Sequence, residues 1–371
     1  MPVIPLNSFV FPSDLGVRRD YMAAAEHIDE AHKARYDRYT LFYDAFWDAA
    51  GSEVVLICPT LLNFAPFFAG EMQFEDVEGG ALSPRVAEGA RYHEVRFPSA
   101  KRVEALRMMG AGFEAEVPVS AQTFDLFRGH NVIMTLQKDN PLTWVRDWLR
   151  YHVEVHGATA ALIFDNGSTR YSPRELEAEM GLVRGLTRAV VVPAAFPHGP
   201  HHPPPPKKSA SKFLQISLFN LARLRFLRQA RAVLNADIDE LVAPVKGSTV
   251  FDRTVRSVMG YRRFGGRWRE TDMGAAAERG FRDSVLIPAD EACKNEKWCI
   301  NPRGLLANAE WLVHNVKPRN VVPFKVTALD GRLSYYHMRG MSTKRQSEAG
   351  ANAHLPVDTE LQALLSRTLR V

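Results

Sequence analysis

The sequence predicts an α/β fold, and three consecutive segments near its centre support this prediction. "NVIMTL" (131–136) and "ATAALIF" (158–164) are apolar runs of strand length, and "NPLTWVRDWLRYHVEVHG" (140–157) between them has apolar residues at helical spacing. Strand, helix and strand form a βαβ unit, whose strands pair in parallel through a right-handed crossover. Because such sheets bind ligands beyond the carboxyl ends of their strands, the polar tip "DNGSTR" (165–170) marks a candidate site.

Capping signals predict where the central helices begin and end. Asn140 is a suitable N-cap and Pro141 a suitable first helical residue, and Gly157 can end the helix. "SPRE" (172–175) has the pattern of a capping box and predicts a second helix. "RAVVVPAAF" (188–196) then predicts a third strand of the same sheet.

The N-terminal third has a different character from the centre. Residues 1 to about 50 predict polar helix with aromatic anchors, and residues 53–127 predict strands separated by Gly and Pro turns. The sequence therefore predicts a helical and β-rich accessory region over 1–129, an α/β domain over 130–348 and a C-terminal tail or helix over 349–371.

Composition excludes some classes of protein and leaves others open. The 371 residues are 46% hydrophobic and 24% charged, which is typical of a globular chain, and no run approaches the roughly 20 apolar residues that span a bilayer. Three scattered cysteines argue against a disulfide framework or a Cys-based zinc site and favour a reducing, cytoplasmic location. The net charge of +5 suits an anionic ligand, an anionic membrane surface or nucleic acid, but no nucleic-acid-binding motif is recognisable, so we expect no such partner.

A proline-rich loop and a basic helix follow the third predicted strand. "FPHGPHHPPPPKKSAS" (196–211) lacks amide donors and predicts an exposed loop, mobile without ligand, whose histidines are poorly placed to hold a metal. "KFLQISLFNLARLRFLRQA" (212–230) predicts a packed helix with a solvated basic face formed by Arg223, Arg225 and Arg228. Peripheral contact with a membrane surface is the alternative for that face.

An acidic triplet follows the next predicted strand. In "ARAVLNADIDELVAP" (230–244), Asp237, Asp239 and Glu240 come directly after the apolar residues 232–234. In an extended chain, residues two apart face the same way, and two adjacent carboxylates attract Mg²⁺ or Mn²⁺. An acidic first turn of a surface helix is the alternative interpretation.

Four segments in order resemble glycosyltransferases of the GT-A fold, specifically the bacterial family 2 and family 92 type. The first, "QKDNPLTWVRDWLRYHVEVHGATAALIFDNGSTR", resembles their opening segment through Lys138, Asp139, Trp148, Tyr151, His152, Asp165, Asn166, Ser168 and Thr169. "LNADIDELV" resembles the Asp-x-Asp-Glu signature, "NEKWCINPRGLLANAEWLVH" a later segment with Lys297, Pro302 and His314, and "LSYYHMRGMSTKRQ" the terminal motif with His337. The sequence departs from the pattern at Asn140, Arg170 and Met338.

The resemblance implies a Rossmann-like nucleotide-sugar-binding domain and a metal-dependent, inverting glycosyltransferase. Its partners would be a nucleotide-sugar donor, expected to be a UDP-sugar, and a glycan acceptor in cell-surface or capsular polysaccharide synthesis, with Mn²⁺ or Mg²⁺ as cofactor. The altered positions Asn140 and Arg170 leave open a catalytically silent protein of this fold that binds a glycan or a partner enzyme. A nucleic-acid-binding protein is a third, weaker hypothesis, motivated only by the basic charge.

The resemblance also implies roles for individual residues. Asp239 would be the main metal ligand, with His337 as a third ligand and Asp237 contacting the metal or the ribose. The nucleotide-sugar pocket would contain Thr135, Lys138, Asp165, Asp237, Arg282 and Lys297, the last two facing the diphosphate. An inverting transfer needs a general base, for which the candidates are Asp290, Glu291 and Glu296, with Glu296 favoured by its closeness to Lys297. "YRRFGGRW" (261–268) is either an acceptor platform or ordinary core packing.

Overall fold

The computed structural model describes residues 2–110, 112–200, 212–272, 279–319, 329–341 and 354–369 of a mixed α/β chain. The proline-rich segment 201–211 and the start of the predicted C-terminal tail, 349–353, lie outside these residues. Within the described ranges, no helix combines the length and apolar composition needed to cross a bilayer.

The N-terminal unit, residues 2–128, is built mainly from β-strands. Its elements are β1 (Phe9–Val10), α1 (Glu30–Arg35), β2 (Thr40–Phe42), β3 (Asp44–Asp48), β4 (Glu53–Pro59), β5 (Met72–Asp76), β6 (Arg85–Glu88), β7 (Tyr92–Pro98), β8 (Ala105–Gly110), β9 (Phe113–Pro118) and β10 (Ser120–Ala121). They form a five-stranded sheet in the order β10-β3-β4-β7-β6, a three-stranded sheet β5-β8-β9 and the pair β1-β2.

The prediction of extensive helix over residues 1–50 is wrong. The only α-helix that the structure describes in this range is the six-residue α1, and the aromatic run that follows it forms β2 and β3. Leu41 and Phe42 of β2 and Phe46 of β3 are fully buried there, and β3 pairs with β4 inside the five-stranded sheet. Aromatic side chains pack well on a pleated surface, and that tertiary packing overrides the helical pattern.

The α/β unit, residues 131–369, contains one large sheet with helices against it. The strands of this unit are β11 (Asn131–Gln137), β12 (Ala160–Asp165), β13 (Arg188–Pro193), β14 (Ala232–Asn235), β15 (Glu240–Val242), β16 (Tyr261–Glu270), β17 (Ala292–Ile300), β18 (Glu310–Trp311), β19 (Val316–Lys317) and β20 (Leu329–Arg339), and all but β18 and β19 belong to the large sheet. Its helices are α2 (Leu142–His156), α3 (Pro173–Gly181), α4 (Phe213–Leu221), α5 (Val250–Val255) and α6 (Thr359–Thr368), and α4 continues as a π-helical turn over Ala222–Leu227.

The eight strands of the large sheet have the order β13-β12-β11-β14-β17-β16-β20-β15. β11, β12, β13 and β14 are mutually parallel, as the βαβ pattern predicts. The chain moves outward from β11 to β12 and β13, then returns to place β14 on the other side of β11. The carboxyl ends of β11 and β14 therefore border a topological switch point, where open α/β sheets bind their ligands.

The capping predictions are confirmed for the start of α3 and the end of α2, but both predictions for the start of α2, at Asn140 and Pro141, are wrong. Ser172 and Glu175 form the predicted capping box of α3, and Gly157 ends α2 in the left-handed conformation with φ of 67°. The N-cap prediction at Asn140 is wrong, because Pro141 occupies the N-cap position and α2 begins at Leu142. The Asn140 side chain instead donates a hydrogen bond to Gln137, which lies at the end of β11.

The two faces of the large sheet belong to different hydrophobic clusters. Ile133 of β11 packs in a cluster with residues of α2, α3, α5 and α6, whereas its neighbours Val132 and Met134 pack in a cluster with α4 and the N-terminal unit. Helix α4 and its π-helical turn thus lie between the large sheet and the N-terminal sheet. Because of this position, Arg223 and Arg225 are buried, and the prediction that they are solvated is wrong. Arg228 is exposed, as predicted.

Candidate active site

A cleft of about 690 Å³ lies at the carboxyl ends of the parallel strands. It is bordered by the loops that follow β11, β12 and β13, by the acidic turn after β14 and by the end of α1. The residues lining it are Ala34, Arg35, Leu136, Gln137, Lys138, Asp139, Asn140, Asn166, Arg170, Phe196, Pro197, His198, Gly199, Asp237, Ile238 and Asp239.

Side chains of the loops themselves connect the walls of the cleft. Asp139, after β11, accepts a hydrogen bond of 2.6 Å from the backbone N–H of Thr169, after β12. Asn166 donates to the carbonyl oxygen of Ala194, after β13, at 2.7 Å. Burial raises the pKa of the Asp139 carboxyl, but hydrogen bonds donated by the backbone N–H groups of Thr169 and Arg170 have the larger combined effect. The pKa of this carboxyl is therefore lowered. Three loops are therefore held as one wall before any ligand arrives.

Asp165 and Thr135, both predicted to contact the nucleotide, lie beneath the cleft lining. Asp165 is buried and accepts hydrogen bonds from the side-chain amide of Gln137 and from the N–H (3.1 Å) and Oγ (2.5 Å) of Ser168. Thr135 is fully buried in β11. These contacts shape the loop around Lys138. Lys138 is exposed and lines the cleft, and Asn166, the neighbour of Asp165, also lines it.

The acidic triplet forms a tight turn and is not extended chain. The N–H of Glu240 donates to the carbonyl oxygen of Asp237 at 3.0 Å, and the N–H of Asp237 donates to Oε2 of Glu240 at 2.8 Å. The premise that Asp237 and Asp239 share one direction in an extended chain is therefore wrong. The turn gives the two carboxylates different partners, although both border the cleft.

Asp237 is paired with Lys297, which lies under the turn. Lys297 Nζ is 2.6 Å from Asp237 Oδ2 and 2.7 Å from Glu240 Oε2, and the lysine side chain is only 1% exposed. Burial opposes the charge on Lys297, but the two carboxylates outweigh it and raise its pKa. Burial raises the pKa of Glu240 to about 7, while Lys297 keeps the pKa of the Asp237 carboxyl low in spite of burial. Lys297 thus neutralises protein carboxylates and does not line the cleft.

Asp239, Glu240 and His337 form a group that can hold a metal ion. One donor atom from each lies within 4.8 Å of the others, and His337 Nε2 is 3.4 Å from Asp239 Oδ2. His337 is fixed by its neighbours, because β20 pairs it opposite Glu240 and the Trp268 ring stacks on it at 4.1 Å. Two carboxylates and one imidazole are a donor set suited to Mn²⁺, and carboxylate oxygens also suit Mg²⁺. These residues fit Mn²⁺ or Mg²⁺, the predicted cofactor, but the group contains Glu240, whereas the sequence resemblance implies Asp237 as a possible metal contact.

Helix α2 positions the strand that carries Glu240. Trp148 Nε1 donates to the carbonyl oxygen of Glu240 at 3.1 Å, and the Tyr151 hydroxyl donates to that of Val242 at 2.8 Å. His156 Nε2 also lies 2.9 Å from the Val242 oxygen, and His152 Nε2 lies 3.4 Å from the Val242 nitrogen. Tyr151 and His152, two residues of the family resemblance, therefore support β15 and lie one layer away from the cleft.

The three candidates for the general base lie outside the cleft lining. Glu296 is ion-paired with Arg263 at 2.9 Å, and Glu291 is ion-paired with Arg269. Asp290 is exposed in the loop before β17.

Arg282 also lies outside the cleft lining. It is exposed and donates a hydrogen bond to the carbonyl oxygen of Leu369, after α6. In "YRRFGGRW", Tyr261 and Phe264 are buried, which is core packing. Only Trp268 of the three aromatic residues approaches the site, through its stacking on His337.

Several residues of the candidate site, in the metal group or in the cleft lining, are not among the sequence-predicted site residues. Glu240 belongs to the acidic triplet, so its sequence position carried a signal. Asn140 and Arg170 drew attention only as departures from the family pattern, yet both line the cleft. Arg35 lies about a hundred residues earlier in the chain and has no motif around it.

Comparisons with known proteins give slight structural similarity. No protein-family model matches the chain, and no curated protein matches it. A crystal structure of the galactosyltransferase LgtC in complex with donor and acceptor sugar analogues is similar, with a TM-score of 0.26 and 17% identity over 46% of this chain and 58% of LgtC. The structure of an active-site mutant of LgtC gives a TM-score of 0.25 and 16% identity over 46% of this chain and 57% of that one. The chain thus matches less than two thirds of the length of LgtC.

Proposed function

We propose that the chain is a metal-dependent glycosyltransferase of the GT-A fold, which transfers a sugar from a nucleotide-sugar to a glycan acceptor. The observation that carries this proposal is the acidic turn after β14, which brings Asp237 and Asp239 to the edge of the cleft at the switch point. The segments that resemble family 2 and family 92 enzymes support it, because two of them supply the group formed by Asp239, Glu240 and His337.

Each part of the cleft suits one part of a nucleotide-sugar. The side-chain amide of Asn140 and the amide oxygen of Asn166, whose NH₂ group already donates to two carbonyl oxygens, can hydrogen-bond a nucleoside. The exposed cations Lys138 and Arg170 favour phosphate oxygens. A divalent cation held by Asp239, Glu240 and His337 would neutralise charge on the diphosphate as the sugar–phosphate bond breaks. We take the donor to be a UDP-sugar and the product to be a cell-surface or capsular glycan, as the resemblance implies.

Transfer with inversion requires a base for the acceptor hydroxyl, and we propose that it lies in segment 290–296. Glu296 remains the preferred candidate, although its carboxylate must then leave Arg263 or act beside it. Glu296→Gln keeps the shape and removes the base, so transfer should slow by roughly a hundredfold or more while donor binding persists. Glu270→Gln, which disturbs a comparable ion pair with Arg339, is the control. Transfer at the control's rate by Glu296→Gln, Asp290→Asn and Glu291→Gln, each made singly, would place the base outside this segment. A product of retained anomeric configuration would contradict inversion.

A second candidate function is ligand binding without transfer. It is favoured by Asn140 and Arg170, which replace the usual residues of the family pattern at positions that line the cleft. A panel of nucleotide-sugars, tested with and without Mn²⁺, separates the two functions. An enzyme should gain thermal stability with its donor and Mn²⁺ and should consume that donor, whereas a silent protein that binds a glycan or a partner enzyme should consume no nucleotide-sugar. If no nucleotide-sugar stabilises the chain, the glycosyltransferase proposal fails.

A further inference from the structure

The N-terminal unit forms part of the cleft wall. Ala34 and Arg35, the last two residues of α1, line the cleft together with the loops of the α/β unit and the acidic turn. The N–H of Gly199, after β13, donates to the carbonyl oxygen of Arg35 at 3.0 Å. The end of α1 is thus joined directly to a loop that borders the candidate active site.

Packing around Tyr36 fixes the position of Arg35. Tyr36 is buried, its ring contacts the ring of Phe213 at the start of α4, and its hydroxyl donates to the carbonyl oxygen of Asp20 at 3.1 Å. His32, one turn earlier, stacks on the Tyr36 ring at 5.4 Å. Because Tyr36 contacts both units, the residue before it is held at the cleft.

The Arg35 side chain is available to a ligand. It is exposed and forms no salt bridge or side-chain hydrogen bond with any described residue. Lys33 on the same helix, in contrast, is paired with Glu30 at 2.7 Å. A guanidinium group binds phosphate with two parallel hydrogen bonds, so an unpaired arginine at the edge of a cleft favours a phosphorylated ligand.

The charges around the cleft favour a ligand with more than one negative charge. Arg35, Lys138 and Arg170 are exposed cations in its lining. Of the three acids there, Asp237 is already neutralised by Lys297, Asp139 accepts hydrogen bonds from backbone N–H groups and Asp239 lies beside His337. We infer that Arg35 binds the diphosphate of the nucleotide-sugar and that the N-terminal unit is therefore part of the donor site. This inference rests on the proposed function and adds a specific residue from outside the α/β unit.

Calorimetric titration of the full chain with UDP in the presence of Mn²⁺ tests the inference. Arg35→Gln should weaken UDP binding by about tenfold or more, the scale of a lost charge-assisted hydrogen-bond pair. Arg35→Lys, which restores the charge but not the paired hydrogen bonds, should recover part of the loss. Arg85→Gln is the charge-matched control, because Arg85 is exposed on β6 and does not line the cleft. All three variants should keep the wild-type melting temperature without ligand, since the replaced side chains are exposed.

The outcomes separate this inference from the proposed function. Equal UDP affinity in Arg35→Gln and in the wild-type chain would overturn the inference and leave the proposed function standing. An equal loss in Arg85→Gln would also overturn it, because the effect would then be one of net charge. If the wild-type chain fails to bind UDP with Mn²⁺, the proposed function itself is wrong, and the role of Arg35 is wrong with it.

Discussion

At the scale of single residues, the environment of Lys297 differs from what its sequence position suggests. A lysine in "NEKW" could be predicted to face a phosphate, but no local pattern shows that it is buried with Asp237 and Glu240. That pairing depends on the antiparallel register of β14 and β17, which sets Asn235 opposite Trp298. By contrast, Asp239 and His337 could be predicted as partners, because both belong to segments that resemble family motifs.

Lys297→Met should destabilise the chain strongly, because it leaves the buried carboxylate of Glu240 and the partly exposed carboxylate of Asp237 without their counter-charge. Removing one member of a buried ion pair costs about 3–5 kcal/mol. The free energy of unfolding, measured by urea denaturation at pH 7, should fall by that amount. Lys317→Met is the control, because Lys317 is exposed on β19 and its loss should change stability by no more than about 0.5 kcal/mol. A similar, small effect of both substitutions would show that Lys297 does not neutralise these carboxylates.

At the scale of elements, the βαβ unit could be predicted from the sequence, and the support it gives to the acidic strand could not. Hydrophobic periodicity predicts α2 and its buried face, including His152. Periodicity does not indicate that His152 and His156 hydrogen-bond the backbone of β15, since that strand lies some ninety residues further along the chain. Both histidines are fully buried, and desolvation lowers their pKa values to about 3 and about 4 respectively.

The buried histidines of α2 should make the fold sensitive to acid. Their pKa values are lower in the folded chain than the ordinary value of 6.5, so the unfolded chain binds protons first as the pH falls. Their contribution is fully present above about pH 6.5 and is lost progressively towards pH 4. For His156 alone, the loss between pH 7.5 and pH 5 is on the order of 2 kcal/mol.

His156→Gln tests this linkage, because glutamine can still donate to Val242 without gaining a proton. Urea denaturation at pH 7.5 and at pH 5 should show a smaller difference in unfolding free energy for the variant than for the wild-type chain. An identical pH dependence of the two chains would mean that His156 does not titrate as a buried neutral group.

At the scale of the whole molecule, the N-terminal unit and the α/β unit share a buried, charged interface. Arg225 Nη1 lies 2.6 Å from Asp44 Oδ2, and Arg223 Nη2 lies 3.3 Å from Glu94 Oε1, with all four side chains at most 5% exposed. The change in composition near residue 130 could be predicted from the sequence. The burial of basic residues from α4 could not, because a basic face on a helix is usually solvated and its partners here are more than a hundred residues away.

This interface should make the two units unfold together. Differential scanning calorimetry of the wild-type chain should give one cooperative transition. Arg225→Met, which leaves Asp44 buried without its partner, should lower the temperature of that single transition and cost roughly 3–5 kcal/mol. Two separate transitions, of which only one moves in the variant, would show that the units are independent domains.

Electron paramagnetic resonance titration of Mn²⁺ tests whether Asp239 binds a divalent cation on which nucleotide binding depends. The wild-type chain should bind one Mn²⁺ in the presence of UDP. Asp239→Asn should abolish that binding and the Mn²⁺-dependent affinity for UDP while the chain stays folded, whereas Asp125→Asn, at an exposed site in the N-terminal unit, should leave both intact. Unchanged Mn²⁺ affinity in Asp239→Asn would show that Asp239 is not a metal ligand.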